Sequence, residues 1–437
     1  MGAGGGEYTQ SEVPEAAATA GGLQIAIVKI GVILALPAFI TGAQIGFSMG
    51  LVRGAISMAI GAAVLGVLAL LTGTMGAMSR QSTALIVRYA FGTLGARIVS
   101  ALIGITLIGF FAVTAELFGK SLARLSQSVL GWEISAAPCI IGGGILMVLT
   151  SIYGFNGLKR LADVAAPVKF IGLAWVAWIA TRDLTLSDLL AAVPATPASF
   201  GVGISAVIGG LAASVTIFPD LARFARTSAA ARHAAIGSFA LAFPAILLLA
   251  AIPSVVTKQA DLVEIMVGMQ LGFPAFVFLV FAAWTTNTSN LYSSALGLSS
   301  LFPRTRFGLL ATCAGAVGIA LAVLGVTSRL VPFLVILGIT IPPIAGVYLA
   351  DFYLVRRRQY DAQALQTLPT FCWAAFVAWG LAIAIALATA NGLFRMTGVP
   401  ACDSILVASL GYTAWGAIRA RARRRPAIDI DATAERQ

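Results

Sequence analysis

The chain has 437 residues, of which 59% are hydrophobic and 10% charged, whereas about 25% of the residues of a soluble domain are charged. This composition excludes a soluble globular enzyme, and the length suits about a dozen membrane-spanning helices of about 20 residues each. The chain has 28 Lys and Arg residues against 17 Asp and Glu, a net charge of +11, which we attribute to basic cytoplasmic loops rather than to nucleic-acid binding.

Twelve apolar runs follow an N-terminal segment rich in Gly, Ala and Glu. They predict membrane spans near residues 26–49, 55–78, 98–118, 134–153, 163–181, 201–222, 234–256, 272–300, 307–326, 330–350, 370–391 and 403–418. With the first residues placed in the cytoplasm, 19 of the basic residues lie on the cytoplasmic side and seven on the outer side. We therefore predict a multi-pass protein of the cell inner (plasma) membrane with both termini cytoplasmic.

Two predicted spans carry helix-breaking residues at matching positions. These are Pro37, Gly42 and Gly46 in the first span and Gly209, Gly210 and Pro219 in the sixth. Breaks that are five spans apart are what two inverted five-helix repeats produce, and paired broken spans indicate the binding site of a transporter. The alternative is that these residues mark places where helices pack closely.

The eighth predicted span carries hydroxyl groups within an otherwise apolar segment. The side chains of Thr285 and Thr286, together with carbonyls freed where other spans unwind, would make a cage of oxygen ligands for sodium. The alternative is that these hydroxyls bond to carbonyls of their own helix.

The sequence lacks parts that membrane enzymes need. It contains no HExxH motif and no Walker A loop. Its four cysteines are scattered, and its one histidine, His233, falls between two predicted spans. We therefore expect no enzyme activity, no metal site of His and Cys, and no disulfide.

Four segments resemble a known family. They read VRYAFG at 87–92, PDLARFAR at 219–226, WTTNTSNLYSSALGL at 284–298 and IPPIAGVYLADFYLVRRRQY at 341–360. In this order and spacing, they make residues 26–360 resemble the bacterial cytosine permeases of the nucleobase:cation symporter (purine-cytosine permease) family. The resemblance implies an all-α integral membrane protein of twelve helices, ten of them in a five-plus-five inverted-repeat core with broken helices, that works by alternating access.

The resemblance also implies a cation site. In sodium-coupled members of the family, carbonyls of the first and eighth spans and two hydroxyls of the eighth span hold the ion. Carried over to this chain, the ligands are the carbonyls of Ala35, Ala38 and Ala282 and the hydroxyls of Thr285 and Thr286. Both hydroxyl positions are intact, and any residue type supplies a carbonyl.

The base-binding positions of the family differ more. The resemblance places them on Phe39, Leu107, Phe110, Gly210, Leu211 and Ala213. Phe39 and Phe110 keep aromatic faces that would stack on a planar ring, but the amide and hydroxyl groups that read cytosine are missing. Because such a loss changes discrimination strongly, we expect a nucleobase-like heterocycle other than cytosine. The sequence does not decide which side chains supply replacement polar contacts to the substrate. The possible residues are Thr41, Gln44, Thr216, Asn287 and Asn290, and of these we include Gln44 and Asn287 among the candidate substrate-binding residues.

Lys169 falls at membrane depth, where an ionisable residue is a functional candidate. It lies about 13 Å along the helix from the cytoplasmic Arg160. In sodium-independent relatives of the broader fold, a fifth-span lysine places its ammonium where sodium would lie. We hypothesise that Lys169 is such a surrogate cation, which can also carry a proton because burial favours its neutral form. The alternative is that it snorkels toward the cytoplasmic headgroups.

Four carboxylates lie close to the ends of predicted spans. Glu116 precedes Lys120 by four residues, which predicts an ordinary helical ion pair, with a proton relay as the alternative. The other three have a basic residue nearby, and they form either local ion pairs or an inner gate that opens with the site. These pairs are Asp163 with Arg160, Asp220 with Arg223, and Asp351 with Arg356.

The sequence therefore predicts a secondary active transporter that imports a nucleobase or related planar heterocycle with sodium or protons. The alternative is an uncoupled facilitator for an uncharged ring. We expect a monomer in the lipid bilayer with no nucleic-acid partner and no cofactor, apart from Na⁺ if it is the coupling ion. The chain divides into a disordered cytoplasmic tail (1–24), a ten-helix transport core (25–350), a cytoplasmic loop with two peripheral transmembrane helices (351–418) and a basic cytoplasmic tail (419–437).

Overall fold

The computed structural model describes residues 12–153, 155–191, 194, 198–260, 262–302, 304–360, 365 and 367–424. Among these residues the regular structure is helical, without a β-strand. The α-helices are α1 (Gly22–Ile33), α2 (Leu36–Ser79), α3 (Thr83–Phe91), α4 (Thr93–Leu125), α5 (Ala136–Tyr153), α6 (Phe155–Thr181), α7 (Leu186–Ala191), α8 (Phe200–Gly210), α9 (Ala212–Thr216), α10 (Pro219–Ala222), α11 (Ser228–Ala235), α12 (Phe243–Thr257), α13 (Leu262–Gly268), α14 (Gly272–Ser299), α15 (Phe307–Val323), α16 (Leu330–Thr340), α17 (Pro342–Ala350), α18 (Trp373–Ala390) and α19 (Pro400–Arg424).

Each predicted span coincides with helix. Among the described residues, six helical stretches are long and apolar enough to cross a membrane, and shorter apolar helices lie before and between them. The first stretch, α2, holds two predicted spans because the chain turns within it at Gly50, where φ is 71° and ψ is 177°. Only glycine adopts this backbone conformation readily. The predicted all-α membrane fold is confirmed.

The first predicted span is broken between α1 and α2. Leu34 and Ala35 leave the helical conformation, and Pro37 lies in the first turn of α2, where its missing N–H costs no hydrogen bond. Gly42 and Gly46 are helical, contrary to their interpretation as breaks. A Cβ atom at Gly42 would lie 2.3 Å from the Leu247 carbonyl oxygen, so this glycine allows α2 to approach α12.

The sixth predicted span is broken twice. Helix α8 ends at Gly210, and Leu211 separates it from the short helix α9. A second interruption at Ile217 and Phe218 precedes Pro219, the first residue of α10. Both interrupted spans therefore have non-helical backbone in the interior of the protein, as the predicted inverted repeat requires.

The helices pack in a few long pairs that bring the broken spans together. Helix α2 packs along α12, α4 along α14 and α8 along α16, while α9 contacts both α2 and α4. Helix α6 contacts α1 and α14. Helices α18 and α19 pack on each other and against α17, and they bury a smaller share of their surface than the other long helices.

The N-terminal segment divides at residue 12. Residues 1–11 of the predicted disordered tail lie outside the described residues, whereas residues 12–21 pack on the ends of the helices. The N–H of Ala20 donates to the Phe224 carbonyl at 3.0 Å, and the N–H of Arg226 donates to the Ala20 carbonyl at 2.9 Å. The side chains of Val13 and Ala20 are buried, and their burial holds this segment in place.

At the other end of the chain, α19 continues to Arg424, past the predicted start of the basic tail at residue 419. Residues 425–437 lie outside the described residues. Arginine is a good helix former, so a basic sequence need not end a helix.

Candidate functional site

Two pairs of aromatic rings belong to the same apolar core, one joining α2 to α14 and the other joining α4 to α16. Phe39 is fully buried, with its ring centroid 5.3 Å from that of Phe278 on α14. Phe110 on α4 packs edge to face against Phe333 on α16 at 5.5 Å. Leu107 lies one turn before Phe110 and is also buried. The predicted aromatic positions therefore belong to one apolar region, and each ring already has an aromatic neighbour.

The break after α8 adds backbone to this region. A Cβ atom at Gly210 would have only two neighbours within 4 Å, Phe243 Cζ at 3.9 Å and Thr41 Oγ1 at 4.0 Å. Gly210 therefore borders free space next to a hydroxyl group. Leu211 and Ala213 are buried directly after it.

The polar candidates use their donors locally. Thr41 Oγ1 donates to the Pro37 carbonyl at 2.7 Å, and Thr216 Oγ1 donates to the Ala212 carbonyl at 2.8 Å. A hydroxyl that has donated its proton can still accept a hydrogen bond. Gln44 is half-buried on α2. The threonine hydroxyls therefore suit a ring N–H donor better than a ring carbonyl.

Asn287 is fully buried in α14 and reaches toward α4 and α5. Its Nδ2 donates to the Phe111 carbonyl at 3.1 Å and lies 3.2 Å from Met147 Sδ. Its Oδ1 has no hydrogen-bond partner among the described residues. The amide nitrogen thus contributes to helix packing, and the oxygen is the atom of this side chain that is left for a ligand.

The predicted sodium ligands lie at the start of α2 and on α14. The carbonyl of Ala35 accepts the N–H groups of Ala38 and Phe39, at 3.0 and 3.2 Å, as the first acceptor of α2. Thr285 Oγ1 donates to the Phe281 carbonyl at 2.7 Å, the local bond considered as the alternative. Ala38 and Ala282 are buried, and Thr286 is half-buried.

Lys169 is buried next to these groups, with 2% of its surface exposed. Its Nζ lies 3.4 Å from the Gly31 carbonyl oxygen, in the last turn of α1, and 3.5 Å from Thr285 Oγ1 on α14. The negative end of the α1 dipole points at this ammonium. The Lys169 side chain therefore extends into the protein, between the end of α1 and the Thr285 hydroxyl, rather than toward the lipid headgroups.

Three participants in this region carry no signal in the sequence. Phe278 and Phe333 are two of the 24 phenylalanines in the chain, and nothing in their local sequence distinguishes them. The Gly31 carbonyl is a backbone atom that every residue type has, and it becomes available only because α1 ends at Ile33. Only the position of the helix end reveals it.

Glu116 forms the predicted pair with Lys120. Its Oε1 lies 2.5 Å from Lys120 Nζ, and its carboxylate also accepts the N–H and the hydroxyl of Thr327. Glu116 therefore joins α4 to the turn that precedes α16. These bonds give the carboxylate a structural role.

We expect the Glu116→Gln variant to lose stability but to keep transporting. Glutamine still accepts the Thr327 N–H but loses the ion pair, a hydrogen bond to a charged group worth about 1.5 to 3 kcal/mol. Melting temperature and uptake per folded transporter measure the two effects. A stable variant without uptake would instead indicate a proton relay.

The three carboxylates that were predicted near cytoplasmic helix ends have different partners. Asp351 is buried and accepts Arg356 Nε at 3.0 Å, Tyr360 OH at 2.8 Å and Tyr412 OH at 2.9 Å. The carboxylate of Asp220 accepts the Thr83 N–H at 2.7 Å, while Arg223 Nε donates to the backbone carbonyl of Asp220. The pair of Asp163 and Arg160 lies outside the residues whose side chains are described. The Asp351 cluster therefore contains an ion pair, and Asp220 joins α10 to α3.

An apolar helical protein whose two interrupted spans meet buried aromatic rings and a buried ammonium has the architecture of a membrane transporter. The chain belongs to the family of permeases for cytosine/purines, uracil, thiamine and allantoin, whose family model matches residues 12–415. The resemblance inferred from the four sequence segments is thereby confirmed.

Known proteins show the same relationship over the length of the chain. The chain is 28% identical to the cytosine permease of Escherichia coli K12 over 406 residues, 93% of each protein. It is 22% identical to the hydantoin permease of Microbacterium maritypicum over 90% of this chain and 86% of that protein. It superimposes on the inward-facing conformation of Mhp1 with a TM-score of 0.83, 19% identity and coverage of 94% of this chain and 93% of that one. For Mhp1, a nucleobase-cation-symport-1 family transporter, in a closed conformation with bromovinylhydantoin bound, the TM-score is 0.78, with 20% identity and 96% of each chain covered.

Proposed function

We propose that this permease imports a nucleobase-like planar heterocycle by alternating access, and that the Lys169 ammonium takes the place of a coupling sodium ion. The observation that carries the proposal is the position of Nζ between the Gly31 carbonyl and the Thr285 hydroxyl. These are a broken-helix carbonyl and one of the two hydroxyls expected to hold sodium. The fixed charge thus belongs to the side chain rather than to a bound ion.

Electrostatics supports this assignment. Two unit positive charges 4 Å apart repel each other by about 4 kcal/mol at an effective dielectric constant of 20. Such a repulsion weakens binding by about a thousandfold, because 1.4 kcal/mol corresponds to a factor of ten. A sodium ion bound at Thr285 would therefore compete poorly with a charged Lys169. Coupling to protons, with Lys169 as the group that exchanges one, follows from the same geometry.

The candidate substrate region suits a flat ring with N–H donors. Phe39 and Phe110 supply aromatic faces, and Thr41 Oγ1 next to Gly210 can accept a hydrogen bond. Cytosine and hydantoin, after which two of the relatives are named, contain rings of this kind, and so does the bromovinylhydantoin bound to Mhp1. Because the amide and hydroxyl groups that recognise cytosine in the family are missing, we propose a ring other than cytosine.

The orientation follows from the basic residues. The N-terminal segment bonds to Phe224 and Arg226 and, through the N–H of Val13, to the Arg80 carbonyl. These arginines lie on the side predicted to face the cytoplasm, so we place both termini there, in the inner membrane, for a monomeric transporter.

Uptake by purified protein in proteoliposomes tests the proposal. Labelled nucleobases, hydantoins and pyrimidine vitamin precursors are offered in sodium or potassium buffer, with and without an inward proton gradient. We expect at least one ring to accumulate when the proton gradient is present, equally in both salts. Failure of every ring would overturn the substrate class, and a strict requirement for sodium would overturn the role of Lys169.

An uncoupled facilitator is the second candidate, and the same fixed ammonium favours it because an uncharged ring then needs no ion. A facilitator equilibrates its substrate, whereas a coupled transporter concentrates it. The ratio of internal to external substrate at steady state decides between them. A ratio of one under a proton gradient identifies the facilitator.

We expect Phe110→Leu to lower substrate affinity by about 3- to 10-fold. Leucine keeps most of the buried apolar surface but removes an aromatic contact worth about 0.5 to 1.5 kcal/mol. The dissociation constant of the ring identified in the uptake assay measures this loss. Phe302→Leu, at an exposed phenylalanine, is the matched control, and equal affinities in both variants would remove Phe110 from the site.

A further inference from the structure

The second interruption of the sixth span frees two backbone carbonyls. Pro219 has no N–H to donate to the Val215 carbonyl four residues earlier. The Phe218 N–H donates to Val215 instead, at 3.3 Å, which leaves the Ser214 carbonyl without its helical donor. The Asp220 N–H likewise donates to Ile217 at 3.1 Å, so the neighbouring carbonyl of Thr216 is also free of the helix.

Both freed carbonyls receive side-chain donors from other spans. Lys29 Nζ on α1 donates to the Ser214 carbonyl at 3.1 Å, and Tyr348 OH on α17 donates to the Thr216 carbonyl at 2.8 Å. In a membrane interior no water replaces such donors. The end of α9 is therefore held by one side chain from the first span and one from the tenth.

The ammonium of Lys29 lies in an enclosed site, with 6% of the residue exposed. It lies over the rings of Phe218 and Phe239, 5.6 and 5.3 Å from their centroids. Aromatic faces and a carbonyl stabilise a desolvated cation without neutralising it. The lysine is thus a hydrogen-bond donor directed at α9.

We propose that Lys29 is a positioning residue of the transport site. By holding the Ser214 carbonyl, it fixes the short helix α9, and with it Ala213 of the candidate substrate region, against the cytoplasmic half of the first span. Its effect on transport rests on the proposed function. The structural link between α1 and α9 is independent of any substrate.

Two measurements on three variants test the proposal. Lys29→Met removes the donor at similar size, Lys29→Arg keeps a charged donor, and Lys258→Met removes an exposed lysine at the far end of α12. The first is hydrogen exchange of the peptide covering residues 212–224, measured in substrate-free protein, and the second is substrate affinity, measured in proteoliposomes. We expect Lys29→Met to raise exchange in this peptide and to weaken substrate binding by about tenfold, the factor that loss of 1.4 kcal/mol gives. Lys29→Arg should restore both to within about threefold of the wild type, and Lys258→Met should change neither.

The outcomes separate this proposal from the proposed function. Wild-type exchange and affinity in Lys29→Met would overturn the positioning role, and so would equal damage in Lys29→Arg, because the donor would then not matter. If Lys29→Met cannot be purified folded, Lys29→Gln, which is shorter and uncharged, is compared with Lys29→Arg, and equal exchange in the two overturns the role. If the wild type takes up no ring, the proposed function fails while the exchange data still decide whether Lys29 holds α9.

Discussion

Replacing Lys169 by alanine is expected to reduce uptake in sodium-free medium by about 10- to 100-fold, the range that loss of a hydrogen bond to a charged group, about 1.5 to 3 kcal/mol, produces. The variant leaves the Gly31 carbonyl and the Thr285 hydroxyl without the ammonium that lies between them. The negative end of α1 then has no fixed cation. The structure therefore predicts a loss of function centred on the break in the first span.

Sodium should restore part of this uptake, because removing the ammonium opens a position lined by oxygen atoms and removes the repulsion against a second cation. Uptake is measured in sodium and in potassium at equal ionic strength, with Lys258→Ala as the control for loss of a lysine. Unchanged uptake together with an unchanged ion requirement would eliminate Lys169 as a surrogate cation. Melting temperature, measured on the same preparations, separates loss of transport from loss of folded protein.

Replacing Gly209 by alanine is expected to prevent tight packing of the sixth span against the tenth. A Cβ atom at this position would lie 1.7 Å from the Leu334 carbonyl oxygen and 2.6 Å from its carbon, so backbone would have to move. Overpacking of a core costs about 1 to 3 kcal/mol, and a clash with backbone belongs at the upper end. We expect a clear fall in melting temperature and little folded protein.

The adjacent glycine provides the matched control. A Cβ atom at Gly210 would make only ordinary contacts, at 3.9 Å to Phe243 and 4.0 Å to Thr41. Gly210→Ala should therefore fold normally, and because it adds a methyl group next to the candidate substrate region, it should change affinity instead. Equal stability of the two variants would show that the backbones of α8 and α16 are not in close contact at Gly209.

The apolar runs predicted the helices well because burial in lipid requires them, but they predicted helix ends poorly. Helix α4 runs from Thr93 to Leu125, well beyond the predicted span 98–118, since basic side chains such as Lys120 and Arg124 are compatible with a helix that leaves the bilayer. Pro37 marked a true break because its ring removes a donor. Gly42 did not, because a glycine that permits a break and one that permits close packing look the same in sequence.

The candidate site likewise contains residues that could be predicted from the sequence and backbone atoms that could not. Thr285 and Lys169 were predictable, since hydroxyls and charges are conspicuous in an apolar span. The Gly31 carbonyl, which Lys169 contacts, and the Ser214 carbonyl held by Lys29 were not predictable, because backbone atoms become ligands only where a helix ends. Lys29 precedes the break in the first span along the chain, yet its side chain reaches the sixth span.

The turn at Gly50 sets practical limits on how the protein can be handled. Since one residue joins the first and second spans there, an epitope tag, protease site or fluorescent label inserted at this point would separate two helices that meet without a connecting loop. Residues 391–396, between α18 and α19, are exposed, and they offer a place for such insertions. They precede Thr397, which bonds to Asp403 of α19, and Gly398, whose carbonyl lies against Gly201 of α8. An antibody fragment that binds a tag at 391–396 would report which side of the membrane this loop faces.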